Sequence, residues 1–308
     1  PNFLFPFLTS DFKRRIKATT EFGLQYNYQL RPEFSRTIAS ASWSYKWIQK
    51  QKIQHRIDLL DISYLYLPWI SSQFQEDYIN KDKDNYILKY NYENRLIVRM
   101  GYNYSYNSAG GTLVNNTITT NSYSIRAGFE SAGNILYGIS KMINMRKNKD
   151  GEYAILGIPY AQYLKGDFDF AKNIIIDHRN SLAFHAGIGI AVPYGNAKVV
   201  PFEKRYFSGG ANSVRGWSVR NLGPGSFAGD GNFMNQSGDI KLDASIEYRT
   251  RLFWKFRGAA FIDAGNIWTI REYENQPGGV FEFDKFYKQI AVAYGLGLRL
   301  DLDFFVLR

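Results

Sequence analysis

The stretch from Arg205 to Gly225 reads RYFSGGANSVRGWSVRNLGPG. On one side a run ending near Tyr194 alternates apolar residues with small or polar ones. On the other, alternation resumes near Gly238, so both flanks read as β-strands. What joins them is an irregular connection of roughly forty residues, well beyond the usual loop length. A connection that long is either disordered or functional, and its composition argues for order. Tyr206, Phe207, Val214, Trp217 and Leu222 can anchor it, while Gly209, Gly210, Gly216, Gly223 and Gly225, with Pro224, permit tight turns and close backbone approach. Arg215 stands between Ser213-Val214 and Gly216-Trp217 and reads as a charged tip that must reach a defined partner.

Working outward, period-two alternation recurs. Phe22, Leu24, Tyr26, Tyr28 and Leu30 oppose Glu21, Gly23, Gln25, Asn27 and Gln29. Similar runs follow over 39–47, 60–66, 96–106, 123–130 and 160–170, separated by Asn/Gly/Lys-rich turns such as 107–121 and 147–151. Over 181–194, Leu182, Phe184, Ile188, Ile190 and Val192 face one way, and Ser181, Ala183, His185, Gly187 and Gly189 the other, leaving room for something to pack on the small face. Beyond the long connection, Ile240, Leu242, Ile246 and Tyr248 oppose the charged Asp239, Lys241, Asp243, Glu247 and Arg249. The last run, 289–304, exceeds the roughly nine to eleven residues that a tilted strand needs to cross a bilayer. About ten such runs, and no helix that periodicity supports, predict an antiparallel all-β meander. The strand lengths favour a transmembrane β-barrel over a soluble β-sandwich, whose strands are usually shorter.

Composition is compatible with that reading. The 308 residues are long enough for one large β-domain, with 17% aromatics and no cysteine, so neither a disulfide framework nor a cysteine metal site is expected. No apolar run approaches the eighteen residues of a membrane-spanning helix. The negative mean hydropathy fits a barrel whose every second residue meets a wet lumen. The formal charge of +10 comes from Lys and Arg scattered singly among aromatics, a pattern of membrane girdles and a basic lumen rather than of nucleic-acid binding. The chain starts Pro1-Asn2-Phe3, without Met, as an excised segment would. His55, His178 and His185 lie apart, with no GxSxG, HExxH or phosphate-loop pattern, so no catalytic residue, cofactor or metal is assigned. An outer-membrane hydrolase would need a serine within hydrogen-bond reach of one of them.

The string SVRGW, preceded by FSGG and followed by LGPG, resembles the VRGF/VRGY motif of the inward-folded loop in the Omp85 superfamily, the BamA/TamA-type outer-membrane assembly factors. With GDIKL, EYR and FIDAGNIW added, the wording is most similar to the TamA-like branch of Bacteroidota. The match is dense from about Tyr194 to Arg308 and is mainly strand pattern before that. The resemblance implies an antiparallel transmembrane β-barrel of about sixteen strands. Ten do not close it, so 1–308 is expected to be an incomplete outer-membrane barrel domain. Its N-terminal strands, POTRA domains and C-terminal strand are expected outside the chain, with Arg308 inside an unfinished wall. Residues 195–237 are expected to form its lumenal loop. The implied role is non-enzymatic assembly, insertion or translocation of outer-membrane or surface proteins, with incoming strands pairing at a weakly closed seam. Implied partners are the Gram-negative outer-membrane bilayer, unfolded client proteins, and periplasmic or lipoprotein accessory subunits. A secretion pore or porin-like channel is the alternative.

With Arg215 some twenty residues from either strand end, a contour of roughly 60 Å lets it reach deep into the lumen. A guanidinium out of bulk water needs a carboxylate, because an unpaired buried charge costs about 3–5 kcal/mol. By resemblance Asp263 and Glu247, on adjacent predicted strands, match the family's acidic partners for the loop arginine, though Asp239 and Asp243 share their pattern. The plainer readings are a solvated loop arginine, a carboxylate capping a turn before Gly265, and a wetted lumen charge. Ser213, Val214, Gly216 and Trp217 would complete the latch, Trp217 as a packing anchor; Trp268 reads as a membrane-interface aromatic.

Overall fold

The computed structural model describes residues 18–32, 34–76, 87, 90, 92–109, 121–229, 235–302 and 306–307. Its main strands are β1 (Thr19–Leu30), β2 (Phe34–Gln49), β3 (Ile53–Ile70), β4 (Arg95–Asn107) and β5 (Ser122–Ala132). After helix α1 (Asn134–Met142) and a small ladder of β6 (Ala154–Ile155) with β7 (Ile158–Pro159) come β8 (Tyr163–Ile175) and β9 (Asn180–Pro193). The long loop leads to β10 (Ile240–Arg251), β11 (Phe256–Trp268), β12 (Ala291–Asp301) and β13 (Val306–Leu307). Among the described residues, all but β6 and β7 form one antiparallel sheet of 11 strands in sequence order, open between β1 and β13.

Alternation decides which face meets what. Large apolar side chains stand bare on the outer face, with Leu24 90%, Tyr294 85% and Leu296 87% exposed, a surface that only a non-aqueous environment tolerates. The inner face carries Asp58, Asp243, Glu247 and Asp263, all buried, and the long loop folds back onto Glu247 and Asp263. The apolar core therefore lies inside the curved wall. Val200 and Tyr206 of the loop pack with Leu65, Ile97, Tyr163 and Ile267 of the strands, and Phe202 with Phe34 and Tyr92.

The connections differ by end, with two exceptions: 31–33 is short at the end that carries the long ones, and 108–121 is long at the end that carries the tight ones. Those at 50–52, 176–179 and 252–255 are tight; Lys50 and Gln51 both adopt positive φ, the arrangement that matches a hairpin turn to strand twist. Those at 71–94, 133–162, 194–239 and 269–290 are long and gather at the opposite end.

The ten predicted runs correspond to β1–β5 and β8–β12, with shifted edges. The last run breaks after Asp301 rather than continuing to Phe304, which, like Arg308, lies outside the described residues. Helix α1 was not expected; its nine residues follow Gly133 at φ 74°, too short a stretch for helical period to stand out inside a long loop. Trp268 is not a membrane-interface aromatic. It is fully buried, donates to Gln289 Oε1 at 2.7 Å and meets Phe281 and Phe286 edge-on.

Candidate functional site in the lumen

The loop is gathered at its root. Tyr206 and Gly238 exchange backbone hydrogen bonds at 2.8 and 2.9 Å, closing a neck. Beside it Arg205 and Asp239 form an ion pair at 3.2 Å with both side chains almost wholly buried. Two neighbours tie the same root to distant strands: Lys204 reaches Glu130 of β5 at 2.9 Å, and Glu203 pairs with Arg36 of β2. The Tyr206 ring lies on Gly189, where an added Cβ would come within 2.5 Å of the ring, and its hydroxyl donates to Asp167 at 2.7 Å. The small face of β9 is thus a seat for this tyrosine.

Farther along, Gly209 and Gly210 take positive φ and Gly210 N donates to Trp217 O at 2.8 Å, turning the chain at the tip. Ser208 and Ser213 hydroxyls lie 3.2 Å apart across that turn. Val214 is fully buried with Leu222 and Ala293, and Trp217 packs against them. Gly216 is required by proximity: a Cβ there would stand 2.8 Å from Ala293 Cβ on β12. On the returning limb Gly223 (φ 77°) lies against Asn266 and Ile267, and Gly225 N donates to Ile267 O at 2.7 Å.

That packing aims Arg215 at the wall. Its Nε and Nη2 donate to Asp263 Oδ2 and Oδ1, each at 2.7 Å, and its backbone N adds a bond to Oδ2 at 3.1 Å. Nη1 donates to Glu247 Oε2 at 2.6 Å, and the guanidinium carbon sits 3.5 Å from the Phe261 ring centroid. A planar fork on a carboxylate with an aromatic face beneath is the geometry in which arginine outperforms lysine. Strand register explains the convergence. Ser245 pairs with Asp263 and Glu247 with Phe261, so the acids and the ring share the inner face of β10 and β11 within one step. The other two acids are engaged elsewhere. Asp239 holds Arg205, while Asp243 meets Lys241 at 2.9 Å and His185 at 3.3 Å.

The sequence reading missed the second half of this network. Glu247 Oε1 also accepts from Arg249 Nε at 2.7 Å and Arg299 Nη2 at 2.6 Å. Both arginines were visible on inward-facing positions. Phe261, an aromatic on the same face two residues before Asp263, was a further signal.

His185 lies between Asp169 and Asp243, and His55 Nδ1 is 2.8 Å from the Tyr102 hydroxyl. The arrangement joins an irregular segment to a curved sheet by charge-assisted bonds to two carboxylates that are buried.

The Omp85 superfamily domain matches residues 9–308. A stretch of 97 residues is 32% identical to the outer membrane protein assembly factor BamA of Neisseria meningitidis serogroup B, covering 29% of this chain and 12% of that protein. The crystal structure of BamA from Haemophilus ducreyi lacking POTRA domains 1-3 has the same fold, with a TM-score of 0.60 at 17% identity over 96% of this chain and 54% of that one. CdiB from Escherichia coli gives a TM-score of 0.42 at 10% identity, over 92% and 43% of the two chains. The chain therefore spans about half the length of the solved BamA structure and a small part of the curated relative.

Proposed function

The chain belongs to the Omp85 superfamily, and from that premise we propose that it forms the wall and inward loop of an outer-membrane β-barrel that inserts or translocates other outer-membrane proteins. In this reading residues 195–237 are a lumenal strut, and Arg215 with Asp263 and Glu247 is the latch that keeps the wall curved while a client strand is handled elsewhere on it. The observation that carries the proposal is the four-bond engagement of Arg215 by two acids on adjacent strands. A loop used only for surface recognition would not send its arginine inside. The bare apolar outer face supports placement in a bilayer, and the long-connection end is then the outer one. The proposed work is strand pairing and folding into lipid, which needs no covalent chemistry. Its partners would be the bilayer, unfolded clients and accessory subunits of the periplasm or lipoprotein class.

The test is reconstitution of the full-length protein in liposomes with an urea-unfolded β-barrel client. Faster client folding than in empty liposomes supports the proposal. Unchanged client folding combined with steady ion conductance across planar bilayers overturns it in favour of a secretion pore or porin-like channel.

A further inference from the structure

At the tight-turn end, below the latch, the inner wall holds a cavity of about 560 Å³ lined by Arg179, Arg249, Arg251, Arg257 and Arg299, with Asp177 as its one lining carboxylate. The arrangement is unusual in register. Arg251 of β10 stands directly opposite Arg257 of β11, and Arg257 directly opposite Arg299 of β12. Like charges paired across strands destabilise a sheet, and three in a row is a local violation of the kind that persists where function requires it.

Nearby acids do not balance the row. Arg257 pairs with Asp301, and Arg249 and Arg299 share Glu247, which is also held by Arg215. Asp177 turns its oxygens to the backbone of Arg179 and Asn180 and to the Asn180 amide. Arg179 and Arg251, both exposed at the cavity rim, make no ion pair among the described residues. Several guanidinium N–H groups are thus left to water or to an anion.

We propose that this cavity is a binding site for an acidic, extended polypeptide segment entering the lumen from the tight-turn side. Strand spacing spreads the row over about 10 Å, and Arg249 lies about 7 Å deeper along β10. A single phosphate spans too little to engage that array, whereas carboxylates on one face of an extended chain recur at about 7 Å. Bilayer lipid is the poorer fit, because these arginines face inward while Tyr248, Ile262 and Leu298 hold the outer face of the same strands. The inference rests on the barrel reading for which way is inward, not on assembly activity.

The experiment uses full-length protein in zwitterionic detergent and fluorescein-labelled hexaglutamate, followed by anisotropy. Saturable binding that weakens with salt is expected. Arg179→Gln and Arg251→Gln should each weaken it about threefold, the worth of one exposed charge contact. Heat-modifiable gel migration confirms that each variant stays folded. No binding, or folded variants that bind like wild type, overturns the proposal. Displacement by inorganic phosphate at equal charge concentration would mark a small-anion site instead. Displacement by phosphatidylglycerol micelles would mark a lipid site. A barrel that captures hexaglutamate but fails the client-folding test sinks the proposed function alone; one that assembles clients yet ignores the peptide sinks this inference alone.

Discussion

Replacing Arg215 by alanine removes three side-chain bonds and leaves two acids behind, but not equally. Glu247 keeps Arg249 and Arg299, at 2.7 and 2.6 Å, so its charge remains compensated. Asp263, with its side chain 1% exposed, keeps, among the described residues, only the backbone N–H of residue 215. Removing one partner of a buried pair costs about 3–5 kcal/mol, and the surviving backbone bond argues for the low end, about 3 kcal/mol. Lost contact with the Phe261 face is included in that figure. At about 1.4 kcal/mol per decade, the undocked loop becomes about a hundredfold more populated. At about 2 °C per kcal/mol for a large domain, the melting transition falls by about 6 °C. Heat-modifiable gel migration across a temperature series reads this directly. Arg215→Lys should fall between, keeping the charge and losing the fork. An Arg215→Ala/Asp263→Ala cycle should return a coupling of about 2 kcal/mol. A variant that melts within about 1 °C of wild type, or a cycle that is simply additive, would refute the latch.

Three further outcomes follow from the root of the loop. Gly189→Val drives a side chain into the Tyr206 ring, and overpacking should lower stability by about 1–3 kcal/mol, whereas Tyr206→Phe keeps the ring and loses the hydroxyl's contacts with Asp167 and Gly166 O; thermal melts of the two separate packing from hydrogen bonding. Asp239→Asn leaves Arg205 buried beside an uncharged partner, a cost of about 3–5 kcal/mol, and Arg205→Met/Asp239→Leu should recover most of it in chemical denaturation. Tyr273 is pushed up to about 12 by burial and by the negative charge of Asp239. An unfolded tyrosine ionises near pH 10, so its contribution is complete below that and is lost as pH rises from about 10 to 12. Tyr273→Phe should remove that part of the alkaline decline in melting temperature.

How far the sequence could be read depended on distance along the chain. Strand existence and facing were legible because period two is local. Each residue of β10 and β11 declares its side, so Asp263 and Glu247 could be placed on one face without coordinates. The choice among four acids could not be made that way. Asp239, Asp243, Glu247 and Asp263 share parity, and only register together with the path of the loop sends Arg205 to the first, His185 and Lys241 to the second, and Arg215 to the last two.

The sequence by itself determined an all-β chain with an apolar and a charged face, interrupted by a glycine-hinged loop too long and too aromatic to be a spacer. It did so because alternation, turn chemistry and anchors are written in neighbouring residues. The tertiary structure alone decided that Trp268 is buried, that Glu203 and Lys204 reach back to β2 and β5, and that Arg251, Arg257 and Arg299 stand in one row. Those facts depend on register across a hairpin and on pairing between segments up to more than a hundred residues apart, which curvature and register set and no local pattern encodes.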